Sequence, residues 1–385
     1  MTGLGEEIAS QVSTPKTTVL GKIADLLDRS GISIEEVGKI QRVNLWQGFY
    51  KDSEGVAQTV DMAGLQLSPK WAEGPEWPVV QQAKPVIVKQ AAPVKRPSKS
   101  LKTAVILPDI QVGYRQMRDG TLDPFHDEDA LAVAVEIIRI TQPDRVIFLG
   151  DGLDFAAQSK YIQEPSWSLT TQAAIDRKHL LHAQIRATAP DADQDELEGN
   201  HDLRLTKSIM VNAAHAFGLQ KANLPESWPV MTVPFLCRYD ELGVNYHAGY
   251  PATQIWINDR LRCIHGLRVK SNGSTAALVA EDDRVSTIFG HIHRIELQHR
   301  TRQVREGPRF SFAASPGCLC RVDGAVPSVK GGIDLLGRPL VSYENWQQGV
   351  GVVSYEEGDG KFALELVPIH QGQAIFREEV IDVRS

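Results

Sequence analysis

The chain runs to 385 residues, 42% hydrophobic and 23% charged, with a net charge of −7. A chain of this size buries a large core and has room for more than one domain. Its acidic balance excludes a global electrostatic pull toward nucleic acid or anionic membrane, leaving only a local basic patch for such contacts. Four cysteines are too few for a disulfide framework and read as reduced thiols. With no apolar signal core between Met1 and Gln11 and no run approaching a membrane span, the sequence predicts a soluble, cytoplasmic protein.

From the N-terminus, Val19, Leu20, Ile23, Leu26 and Leu27 form a helical stripe that Gly31 ends. Ser33, with Glu35 and Glu36, predicts a second helix through about Ile40. Two short helices across a glycine turn suggest a helix-turn-helix-like unit or, equally, a helical hairpin for protein contact. Val43 to Asp52 is aromatic and hairpin-like, with its turn at Asp52-Ser53-Glu54-Gly55; Trp71 and Trp77 follow. Prolines and lysines over 81–102 predict an extended linker between a small helix/hairpin module (1–80) and a larger domain (103–375). In the larger domain strands are predicted at Ala104–Leu107, Arg145–Leu149 and Gln194–Leu197, and helices at Asp127–Thr141 and Leu169–Ala187. The stretch from Leu205 to Asn245 reads as an insertion that could wall a site. Strands follow at Phe310–Ala314, Gly349–Tyr355 and Phe362–Val367. Alternation first and strands later predict an α/β fold of two packed sheets with helices outside.

Five polar islands punctuate this pattern, most of them just after a short apolar run: Asp109-Ile110-Gln111, Gly150-Asp151-Gly152-Leu153-Asp154, Gly199-Asn200-His201-Asp202, Ile264-His265-Gly266 and Gly290-His291-Ile292-His293. Seven oxygen and nitrogen donors from five strand ends suit a two-metal hydrolytic centre. Asp151 can bridge two cations, since its oxygens offer several lone pairs and its charge offsets cation repulsion. Asp109, Gln111 and His293 would hold one cation, and Asn200, His265 and His291 the other. His201 is placed to donate a proton to a leaving oxygen, and Asp154 to fix its ring. His247 competes with His265 for the fourth island, but His265 follows a strand run. His126, in a loop after Gln111, is a candidate substitute ligand or a helix-entry residue. His179, His182 and His215 read as surface or packing residues. Cys318 and Cys320, two apart in a strand-like run, point the same way, which leaves both a structural pair and a metal-binding pair open.

The islands resemble the signature of the calcineurin-like metallophosphoesterase superfamily, Asp-x-His, Gly-Asp-x-x-Asp, Gly-Asn-His-Asp/Glu, a lone His before Gly, and Gly-His-x-His. The resemblance covers Thr103 to Gly317, and the style of the chain is similar to phage-encoded members. It implies a four-layer α/β/β/α sandwich, phosphoester hydrolysis and two divalent cations, with Mn²⁺ foremost and Mg²⁺, Fe²⁺ or Zn²⁺ as alternatives. Gln111 departs from the pattern, standing where the family has His. An amide oxygen is a harder and weaker ligand than imidazole, which shifts preference toward Mn²⁺ or Mg²⁺ over Zn²⁺. Arg204 and Arg294 are the foremost candidate phosphate ligands, ahead of Lys160, Arg268 and Lys270. Three functions stay open: a phosphodiesterase or nuclease on DNA or RNA, a phosphomonoesterase or small cyclic-nucleotide phosphodiesterase, and a non-catalytic metal-site scaffold.

Overall fold

The computed structural model describes residues 19–33, 37–69, 101–161, 164–222, 228–329 and 332–384. The chain divides into two compact units, Met1–Val86 and Ile87–Ser385. Trp71, Trp77 and nearly all of the linker stretch lie outside the described residues.

In the first unit, helix α1 (Val19–Arg29) buries Ile23 and Leu27, two members of its apolar stripe. Strands β1 (Val37–Lys51) and β2 (Ala57–Pro69) form an antiparallel hairpin, closed where Gly55 N–H donates to the Asp52 carbonyl. The expected second helix is therefore corrected. Residues 34–36 are not described, and Val37 to Ile40 are strand, paired from Val37↔Pro69 to Ile40↔Leu67. Pairing with a long partner strand overrides a local Ser-x-Glu-Glu helix signal at this point. A helix-turn-helix is accordingly absent from 37–69. Trp46, Phe49, Tyr50, Val60 and Met62 stay exposed on the hairpin.

The second unit opens with β3 (Lys102–Leu107), a small hairpin of β4 (Tyr114–Gln116) and β5 (Leu122–Pro124), α2 (Glu128–Thr141) and β6 (Arg145–Phe148). Next come α3 (Thr171–Thr188), β7 (Asp193–Leu197), α4 (Leu203–Asn212), the short α5 (Val233–Leu236) and α6 (Tyr239–Leu242), and β8 (Val244–His247). Strands β9 (Ile255–Asn258) and β10 (Leu261–Ile264), helix α7 (Thr275–Asp282), and strands β11 (Ser286–Phe289), β12 (Ile295–Val304) and β13 (Gly307–Pro316) follow. The unit ends with β14 (Gln348–Tyr355), β15 (Phe362–Ile369), β16 (Gln373–Phe376) and β17 (Glu379–Asp382). It is an α/β fold.

Six strands form one sheet in the order β15-β14-β3-β6-β7-β8, with β3, β6, β7 and β8 parallel. Five form a second, β12-β13-β11-β10-β9, in which β10, β11 and β13 run parallel. Strand residues alternate between two cores. Ala104, Ile106, Ile147 and Leu149 pack with Leu261, Cys263, Ile288 and Ala314 of the other sheet. Val105, Leu107, Val146 and Phe148 instead join Leu131, Ile137, Leu181 and Ile185 of α2 and α3. On the second sheet, Ala276 and Ala280 of α7 cluster with Phe289 and Ala313. Burial on both faces explains why these strands read as unbroken apolar runs.

Candidate metal centre

Every island sits at the C-terminal end of a parallel strand: Asp109 after β3, Asp151 after β6, Asn200 after β7, His265 after β10, and His291 and His293 after β11. Open α/β sheets bind ligands outside these strand ends. Five of the seven candidate donors take a left-handed backbone rare for non-glycine residues: Asp109 (φ 33°), Gln111 (51°), Asp151 (51°), His291 (72°) and His293 (56°). Such strain persists only where surrounding structure enforces it, and it clusters at functional sites. Hydrogen bonds between the islands do the enforcing. The His291 N–H donates to both Asp109 oxygens at 2.9 Å, the His201 N–H to Asp151 Oδ1 at 2.7 Å, and the Gln111 N–H to the Asp151 carbonyl at 2.8 Å. Two glycines are required by contact. A Cβ on Gly199 would fall 2.1 Å from Asp151 Oδ1, and one on Gly290 2.6 Å from Asp109 Oδ2.

The side-chain atoms converge in two groups. The donor atoms of Asp151, His265 and His291 lie within 4.8 Å of one another. His265 Nδ1 is 2.8 Å from the Leu149 carbonyl, which can only accept, so Nδ1 carries the proton. That leaves Nε2 facing two further acceptors, Asn200 Oδ1 at 3.0 Å and Asp151 Oδ2 at 3.3 Å. Three electron-rich atoms meet as they would around a cation or an extra proton. On the other side, His293 Nε2 lies 3.4 Å from Asp109 Oδ1 and 3.4 Å from Gln111 Nε2. Gln111 Oε1 is buried with no hydrogen-bond partner, a state that costs about 1–3 kcal/mol. An orphaned acceptor beside a buried carboxylate and an imidazole fits a divalent cation held by oxygen and nitrogen.

The titration shifts have the same origin. Burial would lower His265, but the Asp151 carboxylate outweighs it and pushes the imidazole up to about 9. Burial also opposes His293, which Cys320 and Asp109 push up to about 10. His291 falls to about 4 through burial and the neighbouring His265 charge. Burial raises Asp151, yet His265 and His201 hold it well below the carboxylate range. Raised imidazoles stabilise the metal-free fold fully below their ordinary value near 6.5, and that contribution is lost as pH rises through 9–10. A cation must expel these protons. Metal affinity should therefore rise with pH from about 6.5 to about 9, with protons released on uptake. Calorimetric titration near neutral pH in buffers of different ionisation enthalpy measures that release, and buffer-independent heats would refute it.

Beside the donors, His201 Nδ1 is 3.1 Å from Asp154 Oδ2 and the ring lies 3.8 Å from Asp151 Oδ2. Arg204 donates to His201 Nε2 at 2.9 Å and to the Asp154 carbonyl at 2.8 Å. Arg204 thus reaches the site through His201. Arg294 is partly engaged. It is buried and bonds Glu296 Oε1 through Nε (2.9 Å) and the Lys270 carbonyl (2.7 Å) and Thr275 Oγ1 (3.2 Å) through one terminal nitrogen, supporting the loop before α7. His247 lies on β8 against Asp195, and buried His126 bonds Glu128 at the entry to α2, whose N-cap is Asp127. His182 packs fully buried against Glu196.

Asp202, the last residue of the third island, caps local backbone. Its carboxylate accepts from Gly199, Leu153 and Gly152 N–H at 2.9, 3.0 and 3.3 Å, stapling the second island to the third. Burial, reinforced by Glu196 and Asp151, pushes it up to about 7. Its place inside the Gly-Asn-His-Asp island was the available signal. Trp346, whose ring stands edge-on to His293 at 4.2 Å, had none.

The class established by these observations is an α/β protein carrying candidate metal-ligand groups, with no helix among the described residues long and apolar enough to cross a membrane. No family model matches the chain. It is similar to the Gene 54 protein of Mycobacterium phage D29, 25% identical over 283 residues that cover 71% of this chain and 95% of that protein. It is likewise similar to the Gene 54 protein of Mycobacterium phage L5, 24% identical over 281 residues, with the same coverage of 71% and 95%. Among solved structures it matches Yfce, a phosphoesterase from E. coli, at 11% identity over 69% of this chain and 98% of that one, with a TM-score of 0.25.

Proposed function

We propose that the Ile87–Ser385 unit is a calcineurin-like metallophosphoesterase of four-layer α/β/β/α build, acting on phosphodiesters. The observation that carries this reading is the convergence of His265 Nε2, Asn200 Oδ1 and Asp151 Oδ2 beside the orphaned Gln111 Oε1. The four-layer build is supported by an apolar core between the sheets and helical cores on their outer faces. Asp109, Gln111 and His293 would hold one cation and Asn200, His265 and His291 a second, with Asp151 serving both. Bound there, divalent cations, Mn²⁺ foremost, would supply Lewis acidity toward water and the phosphoryl oxygens.

The chain's own groups do the rest. Asp154 accepts the hydrogen bond of His201 Nδ1–H and fixes the ring, so the imidazolium, with Nε2 protonated once Arg204 turns away, passes its Nε2 proton to the leaving oxygen and is left neutral. Arg204, whose guanidinium already lies against that nitrogen, meets phosphate charge there once it turns from the ring. An apolar cavity of about 330 Å³ along α4, lined by Phe217, Trp228, Met231 and Tyr246, is the candidate seat for a diester's second substituent. DNA or RNA is the macromolecular candidate. On the hairpin unit, exposed Trp46 and Tyr50 offer stacking surfaces for bases. The buried free cysteines agree with a reducing, cytoplasmic setting.

The test is a panel with Mn²⁺, comprising bis-p-nitrophenyl phosphate, p-nitrophenyl phosphate and labelled single- and double-stranded DNA. Diester turnover should exceed monoester turnover and vanish in Asp151→Asn. Absence of Mn²⁺-dependent turnover on every substrate would favour the scaffold reading.

A further inference from the structure

We propose that Cys318, Cys320 and the Nδ1 face of His293 form a second cation site, sulfur-rich and selective for a thiophilic d¹⁰ ion, Zn²⁺ or Cu⁺. His293 Nδ1 lies 3.8 Å from Cys320 Sγ, and the donor atoms of all three residues fall within 4.8 Å of one another. Bonds of about 2.0 Å to nitrogen and about 2.3 Å to sulfur, opened to a trigonal angle, would separate the two donors by roughly 3.8 Å. The observed spacing needs little adjustment.

The backbone presents this site ready-made. After β13, the Cys318 N–H donates to the Gln347 carbonyl and the Leu319 N–H to the Asp109 carbonyl. Further bridges pair Cys318 with Gln348 and Cys320 with His126. Leu319 enters the helical core, while the cysteines on either side of it share the His293 side. Both thiols are fully buried, and the contacts of Cys318 Sγ are long, 3.6 Å to the Gln347 carbonyl and 3.9 Å to the Cys320 carbonyl. Packing alone explains two small buried residues, but not two sulfurs gathered at one imidazole nitrogen.

The chemistry separates this site from the hydrolytic one. A ligating histidine ordinarily gives its second N–H to a carboxylate, a carbonyl or water; His293 faces sulfur instead. Two sulfurs and one imidazole nitrogen select Zn²⁺ or Cu⁺, whereas carboxylate and amide oxygens suit Mn²⁺ and Mg²⁺. Asp109 and Gln111 both lie on the Nε2 side of the ring. His293, as an imidazolate that has released both ring protons, would then join a hard site and a soft one. The soft site does not depend on phosphoesterase activity.

Cobalt provides the test, because thiolate ligation gives an intense near-ultraviolet charge-transfer band that oxygen and nitrogen donors do not. Full-length protein stripped with chelator and titrated with Co²⁺ should develop this band. Asp151→Asn, which damages the hydrolytic donors, should keep it. Cys318→Ser and Cys320→Ser should each weaken it, and the double substitution should abolish it while Co²⁺ binds elsewhere, with folding followed by circular dichroism. Should a cysteine variant unfold, X-ray absorption on zinc-loaded wild type decides, with sulfur scatterers expected at about 2.3 Å. Metal content after growth with zinc or with copper tells the two ions apart. Co²⁺ uptake without the band, or a band that survives both cysteine substitutions, would overturn the site. Neither outcome touches the Mn²⁺ turnover panel, so the two readings fail independently.

Discussion

Replacing His201 by Ala should lower turnover of a nucleotide diester by about 10²–10⁴-fold while leaving metal content unchanged. The ring stands outside the donor groups, held through Nδ1 at 3.1 Å from Asp154 Oδ2. Asp154 is itself fully buried, and Arg204 grips both its carbonyl and its Oδ1. The ring is therefore oriented by groups outside the candidate metal ligands. A proton donor matters in proportion to the basicity of the leaving oxygen. A nucleoside alkoxide needs the proton, and p-nitrophenolate hardly does. The loss should accordingly be large on the nucleotide and small on bis-p-nitrophenyl phosphate. Comparing kcat/KM for both substrates, with metal analysis of both proteins, measures this. Equal losses would reassign His201 to positioning. Asp154→Asn, which keeps the shape but weakens the orienting bond, should fall between wild type and His201→Ala.

The strand-end placement of these residues was legible because buried parallel strands leave an apolar signature with polar breaks at their ends. Ala104–Leu107 and Val146–Phe148 are buried on both faces, so the islands after them stood out as punctuation. Signals that depend on distant partners could not be read this way. Val37–Ile40 follows a helix-like opening at Ser33, Glu35 and Glu36, yet pairs with β2 as strand. Arg294 is read from its neighbour His293, whereas its partners Lys270 and Thr275 lie about twenty residues upstream, across α7. The meeting of Cys320 with His293 needs β12 and β13 to fold back as a hairpin before the chain returns to the Asp109 island. Sequence fixes what each residue can do chemically; the sheet edges decide which of them meet.

Gln111→His should raise affinity for the first cation by about tenfold or more, roughly 1.4 kcal/mol, and move its preference toward Zn²⁺. Gln111 is 1% exposed, its Oε1 has no partner, and its Nε2 points at His293 Nε2 from 3.4 Å. The amide therefore lies among the right atoms, but with its N–H side toward the ring nitrogen that a cation would use. Turning it over brings Oε1 inward as a neutral, hard ligand. An imidazole offers a stronger donor without that rearrangement. The backbone accepts the change, since residue 111 has φ 51° and His is among the side chains enriched in that region. Gln111→Leu is the opposing control. It removes the orphaned oxygen and should stabilise the metal-free protein by about 1–3 kcal/mol, while weakening uptake of the first cation. Mn²⁺ and Zn²⁺ titration calorimetry, with thermal unfolding of the metal-free proteins, reads both effects. If the titrations of wild type, His and Leu proteins coincide, Gln111 is no ligand and the first cation rests on Asp109, His293 and Asp151 alone. If the Leu protein is more stable yet binds metal less well, the buried amide is retained for the cation at the expense of the fold.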